Sequence, residues 1–187
     1  TISTNNEDIK VAIFGACGYV GSYLTLYLSS AGFKVFPFDM DPKVPKPVCR
    51  KLHSNSIERY ELQSFNTVIF LGGCTGRRSC AELDPRDIEK NNIHDVIKLV
   101  ENMNPDQHFI VASTSAVTEG RYDSTEKDSI YDDKLDEYSL SMYQRELALS
   151  HLSLNNSESP RISMLRFGTV VGVSPGQRTD LLVPSLY

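Results

Sequence analysis

Three glycines at three-residue intervals, Gly15, Gly18 and Gly21, and an aspartate a little over twenty positions past the first, Asp39, are the residues whose types and spacing point to chemistry. Gly15 permits a tight turn, Gly18 lacks the Cβ that would hold a ligand off the backbone, and Gly21 lets a helix pack closely on a strand. Unpaired N–H groups at a helix N-terminus, with the positive end of its dipole, then face an anion such as a pyrophosphate. Glycines alone would mark only a tight turn. A carboxylate at Asp39 adds an acceptor for both hydroxyls of an adenosine ribose and repels a 2′-phosphate, which points to NAD over NADP. A second group is the run of small hydroxyls Ser113, Thr114 and Ser115, suited to polarising a carbonyl or hydroxyl of a substrate.

These side chains need elements to position them, and the hydropathy pattern supplies those elements. Val11-Ala-Ile-Phe14 is an apolar run with no charge and reads as a buried parallel strand. Leu24, Leu26, Tyr27 and Leu28 continue at helical spacing after the glycines. Cys17, Tyr19 and Val20 lie within the turn and are candidate cofactor contacts alongside Gly15, Gly18 and Gly21. Lys34 to Asp39 is a second strand that ends at the acid. The proline-rich segment from Asp41 to Pro47 cannot be helix. A short third strand is expected within Pro47–His53, with Ser54 to Ser56 at its end beside the adenine.

Thr67 onward is a fourth buried strand, whose end at Leu71, Gly72 and Gly73 brings backbone close to the cofactor crevice. Thr75 is a candidate substrate contact, and Arg77 and Arg78 stand within reach of a phosphate-bearing ligand. A helix from near Pro85 to Met103 turns Ile88, Ile93, Val96, Ile97 and Val100 inward. Its Asn91 and Asn92 are poor helix formers, and Asn92 is a candidate to face the crevice. Phe109 to Ala112 is a fifth strand running into the hydroxyls, with Ser113 a candidate cofactor contact. A helix from Tyr138 to Leu154 carries the stripe Leu140, Tyr143, Leu147, Leu149 and Leu152, and Arg161 to Phe167 is a sixth strand. Six apolar runs alternating with helical segments predict a doubly wound α/β fold of strand order 3-2-1-4-5-6.

Composition bounds the rest. A chain of 187 residues, 40% hydrophobic, can bury one sizeable core, and its net charge of −5 argues against nucleic acid as a partner. No apolar run is long enough to cross a bilayer and no signal-peptide pattern opens the chain. The four cysteines, Cys17, Cys49, Cys74 and Cys80, show no CxxC pairing, so reduced thiols in a cytoplasmic protein are expected rather than disulfides or a metal site. Residues 1–9 read as a loose polar lead-in and 10–172 as the dinucleotide-binding domain.

The glycine turn, Asp39, the run Ser113-Thr-Ser-Ala-Val-Thr-Glu-Gly120, the Tyr138 helix and Leu165-Arg-Phe-Gly-Thr-Val-Val-Gly172 resemble the extended short-chain dehydrogenase/reductases. More narrowly, they resemble the NAD-dependent epimerase/dehydratase group acting on nucleotide sugars. The resemblance runs from about Lys10 to the end of the chain. It implies a Rossmann-type domain holding NAD, a nucleotide-sugar substrate, and an acid/base pair in which Ser115 matches the family serine and Tyr138 the family tyrosine. The phenolate takes a proton from a sugar hydroxyl while hydride passes to the nicotinamide, and the serine holds the same oxygen. The resemblance also implies that Tyr138, Phe167 and Val170 touch the cofactor and that Thr169 and Arg178 touch the substrate. The segment from Ser174 is similar to the passage into the family's C-terminal substrate domain, so 173–187 is expected to be its start and the domain itself to be absent. The helices at 84–103 and 138–154 are candidates for the helix pairs that join family members as homodimers.

One position departs from the family pattern. The lysine four residues after the tyrosine, which binds the nicotinamide ribose and lowers the tyrosine pKa, is replaced by Met142. Arg145, one turn on, and Lys127 are the cations nearest in sequence. Two functions from different classes therefore stand: a catalyst with Ser115 and Tyr138 in acid/base roles, and a non-catalytic NAD-binding sensor or interaction module. A small-carbonyl reductase is a third.

Overall fold

Alternation along the first strand sets the layers. The computed structural model describes residues 6–40, 50–51, 59–76, 80–118, 125, 130 and 134–176. In β1 (Lys10–Phe14), Val11 and Ile13 face one side of the sheet, and Ala12 and Phe14 the other. The remaining strands are β2 (Lys34–Asp39), β3 (Arg50–Lys51), β4 (Thr67–Phe70), β5 (His108–Thr114) and β6 (Arg161–Phe167). All pair in parallel, in the order β3-β2-β1-β4-β5-β6, as the alternation of runs predicts. The chain reverses direction across the sheet between β1 and β4, and that reversal opens a crevice at the carboxyl ends of those two strands.

Helix α1 (Tyr19–Ser30) covers the first face, with Leu24 and Leu28 packed on Val11, Ile13, Ala16 and Ile69. The second face carries the larger core. There Leu62 of α2 (Arg59–Leu62), with Phe65, packs on Ala12, Phe38 and Val68, and Phe14 stacks between Phe38 and Phe70 at centroid distances of 5.1 and 6.3 Å.

The long helix expected from Pro85 is interrupted. It begins as read, with Asp84 capping the Arg86 N–H at 2.9 Å and Pro85 in the first turn, to form α3 (Pro85–Glu89). A π turn at Lys90–His94 follows, then α4 (Asp95–Glu101), whose Val96, Leu99 and Val100 enter the core. The extra residue in the turn carries Asn92 to full burial, where its amide is saturated by groups described below.

Helix α5 (Glu137–Asn155) corrects the expected stripe. Leu147 is 52% exposed, and Leu140 and Tyr143 are only half-buried. The buried face is instead Met142, Arg145, Glu146 and Leu149, spaced i, i+3, i+4 and i+7, with Ser139 and Ser141 above them. A helix can bury charged groups when each finds a partner, and both do. The stripes that reach inward from α4 and α5 are spent on the sheet. Among the described residues no helix is long and apolar enough to cross a membrane.

Candidate cofactor and catalytic site

The turn after β1 is held by backbone. The Phe38 carbonyl accepts the N–H groups of Gly15 and Ala16 at 3.0 and 3.1 Å, and Phe14 O accepts Leu71 N–H at 2.8 Å, tying the turn to both neighbouring strand ends. Gly15 has φ +79°, and a Cβ there would strike the Leu71–Gly72 backbone at 2.6–2.8 Å. At Gly21 a Cβ would collide with the Gly15 carbonyl, so α1 can approach β1 only through glycine. Gly18 is the N-cap of α1, supplies no side-chain cap, and has only Gly15 O near its missing Cβ, at 3.3 Å. With no acid in the first turn of α1, the leading N–H groups of the helix remain for an external anion. The cradle fits a dinucleotide pyrophosphate. Asp39 closes it from β2, its Oδ2 accepting the Cys17 N–H at 2.8 Å, which fixes the carboxylate beside the turn. Tyr19 is buried, and Cys17 and Val20 are half-buried.

Across the crevice the loop after β4 is braced by Asn92. Its Oδ1 accepts Cys74 N–H at 2.7 Å, and its Nδ2 donates to Cys74 O at 3.1 Å and to Ser141 Oγ at 2.9 Å. Gly73, at φ +108°, has no room for a Cβ because that Oδ1 lies against it. Asn92 is 0% exposed and so acts on the crevice through the loop it holds. Leu71, Gly72 and Gly73 are half-buried along that loop, and Thr75 is exposed beyond them.

The hydroxyl run divides. Ser113 is buried, its Oγ donating to Glu146 Oε1 at 2.5 Å, while Glu146 also receives Arg166 of β6 through Nε and Nη2 at 2.6–3.2 Å. Ser115 starts a 3₁₀ turn (Ser115–Thr118) and is exposed at the carboxyl edge. That turn packs against α5, where half-buried Tyr138 is the second residue, after the Asp136 cap that accepts Ser139 N–H at 2.8 Å. Sequence therefore leads to two positions that the fold brings onto touching elements.

Below Tyr138 lies a group whose position the sequence left open. Arg145 is 2% exposed, and its guanidinium donates to Ala112 O, to Asn92 O at 3.5 Å and to Met142 Sδ at 3.0 Å, 6.0 Å from the Phe70 ring centre. Burial pulls its pKa down to about 10, against the opposing influence of Tyr138 and Glu146. Burial likewise pushes the Cys74 and Cys80 thiols up, Cys80 to about 11. Among the described residues, Cys17, Cys74 and Cys80 form no disulfide with one another.

Beyond β6 the chain returns to the glycine turn. Tyr19 Oη donates to Gly172 O at 2.5 Å, and Ser174 Oγ donates to Tyr19 O at 2.5 Å while meeting Ser22 Oγ at 2.8 Å. Gly176 N–H donates to Ser22 Oγ at 2.8 Å, and a Cβ there would lie 2.5 Å from Gly18 O. Phe167 is half-buried, and Thr169 and Val170 are exposed between strand and tie. Arg178, Arg77, Arg78, Lys127, Cys49 and Ser54–Ser56 lie outside the described residues.

This arrangement agrees with comparison to known proteins. The model of the NAD dependent epimerase/dehydratase family matches residues 11–185, and the chain belongs to that family. The chain superposes on MoeE5 in complex with UDP-glucose and NAD with a TM-score of 0.78 at 27% identity, over 95% of this chain and 59% of that one. It shares the fold of TunA, an NAD dependent NDP-hexosamine 5,6-dehydratase (TM-score 0.79, 22% identity, 95% and 60% covered). The same holds for UDP-glucuronic acid 4-epimerase from Bacillus cereus in complex with NAD (0.74, 23%, 92% and 60%). The chain thus spans 59–60% of the length of these proteins. No curated protein sequence matches it.

Proposed function

We propose that this chain carries the cofactor half and the acid/base pair of an NAD-dependent epimerase/dehydratase-type oxidoreductase acting on a nucleotide sugar. The observation that supports it best is the placing of Ser115 and Tyr138 on packed elements at the same sheet edge as the Gly15–Gly21 cradle and Asp39. Gly15, Gly18, Gly21 and Asp39 hold NAD, which when bound supplies hydride acceptance. Tyr138 takes the proton from the sugar hydroxyl, and Ser115 fixes that oxygen. The structures with UDP-glucose or UDP-glucuronic acid supply the substrate class to try first. Residues 173–187 are read as the start of a substrate-binding region, and a homodimer through α3–α5 as the assembly to test.

Calorimetric titration with NAD and with NADP comes first, and NAD-selective binding is the expected result. Tyr138→Phe is then expected to lower turnover of a UDP-hexose by about 10²–10⁴-fold at unchanged NAD affinity. Unchanged turnover would remove Tyr138 from the chemistry. A second reading, favoured by the buried thioether of Met142 below Tyr138, is an NAD-binding module without turnover. It predicts cofactor binding and no reaction with any nucleotide sugar.

A further inference from the structure

We infer that Arg145 is the positioning residue for Tyr138, a buried cation that holds the phenol toward its ionised form. The inference rests on the reading of Tyr138 as the acid/base. It starts from the cost of the site: a guanidinium 2% exposed is expensive unless charge or hydrogen bonds offset it. Its hydrogen-bond acceptors among the described residues are the Ala112 and Asn92 carbonyls and the Met142 sulfur, all neutral. Glu146, next in sequence, is engaged by both Arg166 and Ser113.

Helix geometry supplies the direction. Seven residues turn a helix to within about 20° of two full turns, so Arg145 lies on the same face as Tyr138 and about 10 Å further along the axis. Helical side chains lean toward the N-terminus, and the contact with Met142 Sδ at 3.0 Å shows this one climbing a full turn toward Tyr138. The guanidinium reaches the level of Met142, one turn along the helix from the Tyr138 backbone. Phe70 and the Ala112 carbonyl wall that level off, which keeps the local dielectric low and lengthens the reach of the charge.

Among the described residues, Lys134 before α5 is exposed, and other ionisable groups on the packed elements face partners of their own. Lys90 and Asp95 face each other at 3.7 Å, His94 lies 3.3 Å from Glu89, and Arg166 is taken by Glu146. Asp136 caps α5, and Glu137 at its start is exposed. Asp87 on α3 acts on Cys74, and both Cys74 and Cys80 are raised and neutral. Among the described residues, Arg145 is the cation on the buried face of α5.

The test is a ¹³C NMR titration of the full chain labelled at tyrosine Cζ, with Tyr138 assigned from Tyr138→Phe. In the unaltered protein Tyr138 is expected to titrate at least about one pH unit below the ordinary value of about 10, and a midpoint at or above that value overturns the inference. Arg145→Met is expected to raise the midpoint by about one unit, a tenfold fall in the ionisation constant, and Arg145→Lys to restore most of it. A midpoint unmoved in Arg145→Met, with the spectrum otherwise native, shows a packing role alone and also overturns it. Should Arg145→Met not fold, Arg145→Gln keeps hydrogen-bond donors without the charge and is expected to raise the midpoint likewise, and an unmoved midpoint in it overturns the inference. These readings need no substrate. A lowered, Arg145-dependent midpoint beside unchanged turnover in Tyr138→Phe would sink the enzymatic reading and leave the coupling standing.

Discussion

The turn after β1 and the first turns of α5, which pack on the turn after β5, are built on different principles. The turn is a backbone object. Its carbonyls, N–H groups and missing Cβ atoms do the positioning, and the Asp39 carboxylate accepts the Cys17 N–H. The face of α5 is a side-chain object, in which Arg145, Glu146 and Ser141 are each fixed by a partner from another element and Met142 by Arg145 itself. A backbone device tolerates almost no change of residue type. A side-chain device can deliver the same charge from another position, provided that the atoms arrive at the same place.

Three substitutions test that contrast. Gly21→Ala should have the largest effect, because the new Cβ falls on the Gly15 carbonyl, which cannot move without breaking the turn. It is expected to cost about 3 kcal/mol in urea unfolding and to abolish calorimetric NAD binding. NAD affinity within threefold of the parent would break the comparison. Glu146→Gln removes the charge that receives Arg166 and is expected to cost about 2 kcal/mol while leaving NAD affinity nearly unchanged. A matching loss of affinity would show the two regions to be one unit. Asn92→Ala strands the Cys74 N–H and is expected to cost about 1–2 kcal/mol, with a modest weakening of NAD binding through the loosened loop. No change in melting temperature would mean that the loop holds itself.

What could be read from the sequence follows the same division. The strand order, β2 ending at Asp39, and the glycine turn were legible because each depends on local residue type and period. The buried face of α5 was not. Its inward positions hold Arg145 and Glu146, which an apolar stripe passes over, and the leucine pattern drew attention to Leu147, a surface residue. The spacing of Met142, Arg145, Glu146 and Leu149 was available as i, i+3, i+4 and i+7. Only the partners on β5, β6 and the π turn show that those charges belong inside. Asn92 is legible as a weak helix former, but its three side-chain hydrogen bonds go to Cys74 and Ser141, 18 and 49 residues away, and leave no local trace.

The tie between Ser174 and α1 has a consequence for the order of assembly. Its hydrogen bonds close loops of 152–155 residues, the kind of contact that chain entropy delays until the rest of the sheet is formed. The cofactor turn is made directly after β1, yet its outer support arrives from residues that follow β6. A ribosome-bound chain halted before Gly176 would carry the turn without its support. Ser174→Ala is accordingly expected to speed unfolding in stopped-flow experiments and to leave the refolding rate nearly unchanged.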